Sequence, residues 1–244
     1  MSSKRIRKYQ KIYIFGYVVF LLVFIGVIIT LALIGISAEL RTSIIFIVLA
    51  LVLIGSFLFR AKIYDLNNLY YYFKLLDNPG EPVSYSQDVL SDKWLQDIIT
   101  SQNFILHENK KHYYFLYRII SDPVVEKQKR FKMIEILVIH KDMHNHFYLD
   151  EITETINNLE KDLQKKERFN RYIILQFKQI KEFDKKTQEQ LTEVVVMKRN
   201  HSYYITINVG IQKDLKIACF LYNNDYDVFP YYSYGVERII SFTQ

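Results

Sequence analysis

One cysteine, Cys219, occurs among 244 residues, so neither a disulfide framework nor a CxxC metal or redox site can be built. Glycine is scarce at seven residues and proline at four. That excludes long flexible or Pro-rich linkers and points to a compact body with few hinges. It also leaves little room for a phosphate-binding glycine loop, and neither a Walker A nor a GxGxxG pattern occurs. Internal repeats are absent too. What is present, 50% apolar and 24% charged side chains, is ordinary for a folded chain and argues against disorder.

The formal charge of +6 resembles a nucleic-acid signal only until it is divided along the chain. Residues 1–62 hold eight Lys or Arg against one acid, Glu39, which leaves 24 basic and 25 acidic residues in the remaining 182. The basicity belongs to the N-terminal segment, and no nucleic-acid partner is expected.

That segment holds two uncharged runs, Ile12 to Ala38 with 27 residues and Thr42 to Phe59 with 18. A bilayer core of roughly 30 Å needs about 20 helical residues, so the pair reads as a transmembrane hairpin over 12–60, with a short turn between its spans. The first run is too long for the apolar region of a cleaved signal peptide, which spans about 7 to 15 residues. Five Lys or Arg precede the first span (Lys4, Arg5, Arg7, Lys8 and Lys11), Arg60 and Lys62 follow the second, and only Arg41 lies between. The positive-inside rule then places both termini in the cytoplasm of a multi-pass protein of the cell membrane. The basic residues 1–11 are expected to lie against anionic lipid headgroups. No Asp, Glu, His, Lys or Arg falls within either span, which argues against an ion or proton path. Gly16, Gly26, Gly35 and Gly55 mark points where helices could approach closely.

After Lys62, the spacing of Leu66, Leu69, Tyr70, Phe73 and Leu76 predicts an amphipathic juxtamembrane helix, ended by Asn78-Pro79-Gly80-Glu81-Pro82. Residues 61–82 therefore join the hairpin to a domain over 83–244. Its pattern alternates between helical and strand periods: a helix capped by Ser91 or Asp92, strands over 104–107 and 113–120, and an almost continuous apolar strand over 131–140. A helix over 149–163 and a strand over 172–180 follow, then residues 185–198, read as a helix with a turn into strand halfway, at the β-branched 193–197, as the alternative, and a hairpin over 203–211 and 215–222. Residues 223–235 read as loop and 236–242 as a closing strand or turn. The fold class expected is α/β, a mixed α+β sheet domain preceded by the two-helix transmembrane hairpin.

Over Asp92 to Ile180 the element order resembles the core of the PD-(D/E)xK nuclease superfamily. In that family an Asp near the second strand and an acidic-x-Lys on the third hold the ions that activate water. The third strand here carries Glu135-Ile136-Leu137, with leucine in the lysine position, and the second strand contains no Asp.

The densest group of metal-ligand types is His140, Asp142, His144 and His146, at the junction of a strand and a helix where α/β sites gather. A divalent metal is the one cofactor that this group could bind. Asp225-Tyr226-Asp227 has a superficial likeness to a calcium loop but lacks its glycine and bidentate glutamate. Tyr226, Phe229, Tyr231, Tyr232 and Tyr234 form an aromatic group suited to a contact surface or a small core. Cys219 reads as a small buried hydrophobe. These features point to a membrane-anchored cytoplasmic interaction, assembly or regulatory module without a catalytic motif, whose partner is another protein or a second copy. The alternative is a membrane-bound metal-dependent hydrolase or nuclease-like enzyme using the His140/His144/His146 region.

Overall fold

The computed structural model describes residues 2–124, 132–165, 169–193, 195–199, 202–223 and 230–244. It divides into two compact units, Met1–Asp77 and Asn78–Gln244.

The first unit is a hairpin of two long helices, α1 (Ser3–Leu33) and α2 (Ala38–Asp77), both long and apolar enough to cross a membrane. The turn is Ile34–Ser37, earlier than the gap between the two uncharged runs, so Glu39 and Arg41 lie inside α2. Arg41 holds the turn by donating from Nη2 to the Ile34 carbonyl at 3.0 Å. Most of the outer surface is apolar, with Phe15, Leu53 and Phe57 more than two-thirds exposed. In lipid this costs nothing, because the hydrocarbon is as apolar as the side chains. Between the helices, Phe20 packs on Tyr17, Phe24 and Phe59. A Cβ on Gly55 would fall 2.9 Å from Phe20 Cε2, so only glycine leaves room for that ring. Past the apolar stretch the helices exchange polar contacts, with Gln10 donating to Asn67 at 3.1 Å and Ser3 donating to Asp77 from both backbone and hydroxyl. Helix α2 is continuous, so the expected juxtamembrane helix is its last turns.

The second unit is one mixed sheet with helices on both faces. Its elements are β1 (Val83–Ser84), α3 (Asp92–Ser101), β2 (Ile105–Asn109), β3 (Tyr113–Ser121), β4 (Lys132–His140), α4 (Asp150–Gln164), β5 (Arg171–Gln179), α5 (Lys185–Thr192), β6 (Val195–Arg199), β7 (Ser202–Gln212), β8 (Ile217–Cys219) and α6 (Pro230–Thr243). The strand order is β1-β8-β7-β5-β4-β3-β2, with β6 beside β7. The central three strands β4, β5 and β7 run parallel, and the flanking pairs are antiparallel. Strand β6 takes the first half of the outer edge of β7 and β8 the second half.

Even-numbered residues of the parallel strands face α4. Ile134, Ile136, Val138, Tyr172, Ile174 and Tyr204 pack there against Ile152 and Leu159 of the predicted helix stripe. Odd-numbered residues face α3 and α6. Ser91 caps α3 by accepting from the Trp94 amide at 3.2 Å, and Trp94 Nε1 donates to the Phe242 carbonyl at 2.7 Å, joining the two helices.

Two segments differ from expectation. Residues 185–198 are not one helix but α5 followed by β6, since β-branched Val195 and Val196 pair in the ladder with Thr206 and Ile205 respectively. The C-terminal residues are neither loop nor strand but α6, which starts on Pro230, a residue that suits a first helical position. It buries Tyr232, Gly235, Ile239 and Phe242 at helical spacing. Gly235 brings α6 onto the sheet, where a Cβ would meet Ile207 Cδ1 at 2.7 Å. Asp225, Tyr226, Asp227 and Phe229 lie outside the described residues.

Candidate functional site at the carboxyl ends of the parallel strands

Helix α4 covers only part of its face of the sheet. Beyond it, toward the carboxyl ends of β4, β5 and β7, the same even-numbered rows change from apolar to polar. The parallel register sets Val138 beside Gln176 and Gln176 beside Asn208, with His140 two residues past Val138 and Lys178 two past Gln176. His140, Gln176, Lys178 and Asn208 are each at most 4% exposed. Buried polar side chains are tolerated when they satisfy one another, and here they form a connected chain.

Gln176 Nε2 donates to Asn208 Oδ1 at 3.2 Å, and Asn208 Nδ2 donates to the Gln190 carbonyl at 2.8 Å and to the Tyr148 hydroxyl at 3.2 Å. With its amide nitrogen engaged in that way, Gln176 offers Oε1 to His140 Nε2 at 3.3 Å. Neutral His140 is therefore the Nε2–H tautomer. Its Nδ1 is buried without a hydrogen-bond partner among the described residues. Burial, with Lys178 nearby, pushes the imidazole pKa down to about 4 against the opposing bond from Gln176. Phe147 covers the group, its ring 5.5 Å from that of His140 and its centroid 4.3 Å from Lys178 Nζ.

Lys178 donates to the Asn145 carbonyl at 2.8 Å and to Gln190 Oε1 at 2.9 Å. Burial, then repulsion from Lys186, lowers its pKa to about 8, with Asp142 opposing. Two cavities flank the polar chain. One of about 370 Å³ reaches Lys178 between the loop after β4 and the start of α5. A smaller one of about 160 Å³ reaches Gln176 beneath Phe147 and Leu149.

The residues expected to hold a metal are separated by these bonds. His140 is on Gln176, His146 Nδ1 meets Gln190 Nε2 at 3.1 Å, and the His144 amide donates to Asp142 Oδ1 at 2.9 Å in a local turn. Among the described residues no three His, Cys, Asp or Glu side chains converge on one point. Gln176, Lys178, Gln190 and Asn208 are not among the site residues expected from the sequence, although the polar alternation Gln176-Phe177-Lys178 inside an apolar strand is a visible signal.

On the opposite face Glu135 is fully buried. Its Oε2 accepts from Arg118 Nε at 2.8 Å, Arg118 Nη2 at 2.6 Å and the Tyr234 hydroxyl at 3.1 Å, while Oε1 accepts from Arg238 Nε at 3.1 Å. Arg118 also donates to the Gln102 carbonyl, and Arg238 to its side chain. Burial, then the neighbouring carboxylate, pushes the Tyr234 hydroxyl up to about 12. Glu135, the acid on the third strand of the nuclease-like element order, is thus bound by two arginines.

No protein family, curated protein or solved structure matches this chain. Its site is therefore read from geometry alone. Cys219 is buried in β8, and burial pushes its thiol pKa up to about 11, so it is held as an unreactive thiol.

Proposed function

We propose that the chain is a regulatory module held on the cell membrane by its helical hairpin, with both termini and the α/β domain in the cytoplasm, and that it works by binding. The distribution of Lys and Arg around the two spans supports the orientation. The observation that carries the functional reading is the buried chain His140–Gln176–Asn208–Gln190–Lys178, which ends at an open cavity. Carboxyl ends of parallel strands are where α/β sheets receive ligands, and side chains locked by mutual hydrogen bonds orient a ligand at little entropic cost. Binding there would bias the α5 segment and the loop after β4, and so alter what another protein, or a second copy, meets. Phe183 and Leu215, 49% and 64% exposed, are suitable probes of such contacts.

Two measurements test this reading. Cysteines introduced as Ser2→Cys and Ser241→Cys should react with an impermeant reagent only after permeabilisation, whereas Ala38→Cys should react in intact cells. The opposite pattern overturns the orientation. A photo-crosslinking residue at Phe183 or Leu215, in the full chain in its membrane, should give a discrete protein adduct. Absence of an adduct from both positions counts against an interaction module.

A further inference from the structure

Resting on the reading of the domain as a binding module, we propose that the cavity beside Lys178 takes a phosphate monoester group, with Lys178 as its buried anchor and Lys181, Lys186 and Thr187 around it. Lys178 is 3% exposed, yet both acceptors of its ammonium, the Asn145 carbonyl and Gln190 Oε1, are neutral. Among the described residues it has no ion pair. A buried ammonium with no carboxylate within ion-pair distance among the described residues is costly to fold around, Asp142 acting on it only from farther away, and this one lines an open cavity of about 370 Å³. An anion seated in that cavity would meet the ammonium at closer range than Asp142 does.

The surroundings match an oxyanion with several acceptor oxygens. Lys181, Lys186 and the Thr187 side chain line the same cavity, as does His144. Helix α5 begins there at Lys185. Its first amides have no carbonyl partner within the helix, and Asp184 caps only the Thr187 amide, at 2.8 Å. Glu182 and Asp184 also border the cavity, leaving three lysines against two carboxylates. Only Met143 and Ile180 are apolar in the lining, so a polar headgroup fits better than a hydrocarbon one. A tetrahedral, doubly charged phosphate can engage more of these separated donors at once than a carboxylate can. The chemistry is the same whether the group belongs to a soluble phosphorylated molecule or to a lipid whose headgroup is a bare phosphate.

The full chain in detergent is titrated with inorganic phosphate against chloride at matched ionic strength. In parallel, the full chain in nanodiscs of phosphatidylcholine is compared with nanodiscs that also contain phosphatidic acid. Thermal unfolding of the α/β domain is the readout. A saturable upward shift is expected in at least one arm, and the responding arm identifies the source. Lys178→Met should weaken the response about tenfold or more, as loss of a charged hydrogen-bond donor does. Lys186→Gln, at an exposed position that cannot disturb the core, should weaken it by about threefold and decides the matter if the first variant does not fold. No saturable shift in either arm, or a shift equal to wild type in every variant that folds, overturns the proposal. The labelling and crosslinking tests above are read independently, so failure here would leave the binding-module reading intact with a different ligand.

Discussion

Arg238 Nε lies 3.1 Å from Glu135 Oε1, tying the C-terminal helix to the middle of the sheet across 103 positions of sequence. The carboxylate has no access to water and depends on that guanidinium, on Arg118 and on Tyr234 for its hydrogen bonds.

Removing the carboxylate should therefore be severe. Glu135→Ala leaves two arginines, each with only 15% of its side chain exposed, without their counter-charge. A loss of about 3–5 kcal/mol is expected, as for breaking other buried pairs. Chemical denaturation of the full chain in detergent, followed by the fluorescence of Trp94, measures it. A loss under about 1 kcal/mol would show the network to be incidental.

His140 makes stability depend on pH. Its pKa is about 4 in the folded domain and about 6.5 in an unfolded chain, so the unfolded state binds more protons between those values. The sign follows: stability is full above pH 6.5 and is lost as pH falls toward 4, by at most ~3 kcal/mol. In His140→Leu that component should vanish. The test is the difference between wild type and variant across the window, and parallel curves would refute the assignment.

Gly55 is required where Phe20 crosses α2. Gly55→Val forces the ring aside and should destabilise the hairpin by about 1–3 kcal/mol, the usual range for overpacking. Adding Phe20→Ala should recover most of that loss, because the offending ring is gone. A double-mutant cycle on thermal unfolding in detergent checks it, and strict additivity would mean that the two residues do not meet.

The fragment 78–244 is expected to fold without the hairpin, since its sheet and both helical layers are internal to it. The first residues matter: the Gly80 amide donates to the Tyr222 carbonyl at 2.6 Å, the Tyr222 hydroxyl donates to the Glu81 carbonyl, and Val83 pairs with Ala218. A fragment starting at Ser86 should melt at a lower temperature. Insolubility of the longer fragment, or equal melting of the two, would contradict this.

The hairpin and the order of the core elements were legible because each rests on a local period: long uncharged runs, apolar residues every three or four along α4, and apolar strands bounded by turns. Ser91 marks its helix for the same reason, since a cap is a bond between near neighbours. The C-terminal helix was not legible. Its tyrosine-rich start looks like loop, and what holds it are the Tyr232 hydroxyl on the Leu221 carbonyl, Trp94 on Phe242, and Arg238 on Glu135.

The site divides in the same way. His140 drew attention by residue type, but the expected grouping with Asp142, His144 and His146 assumed that neighbours in sequence would be neighbours in space. Only His140 belongs to the strand, and the loop that carries the other three sends its side chains in several directions, so the spacing of two that would share a face in a strand does not hold there. His140 is bonded instead to Gln176 on β5, and the chain runs on from there to Asn208 on β7, strands more than thirty residues apart that the parallel register brings alongside. Which strand positions are polar is written in the sequence. Which of them touch depended on the register, a long-range property that only the assembled sheet decides.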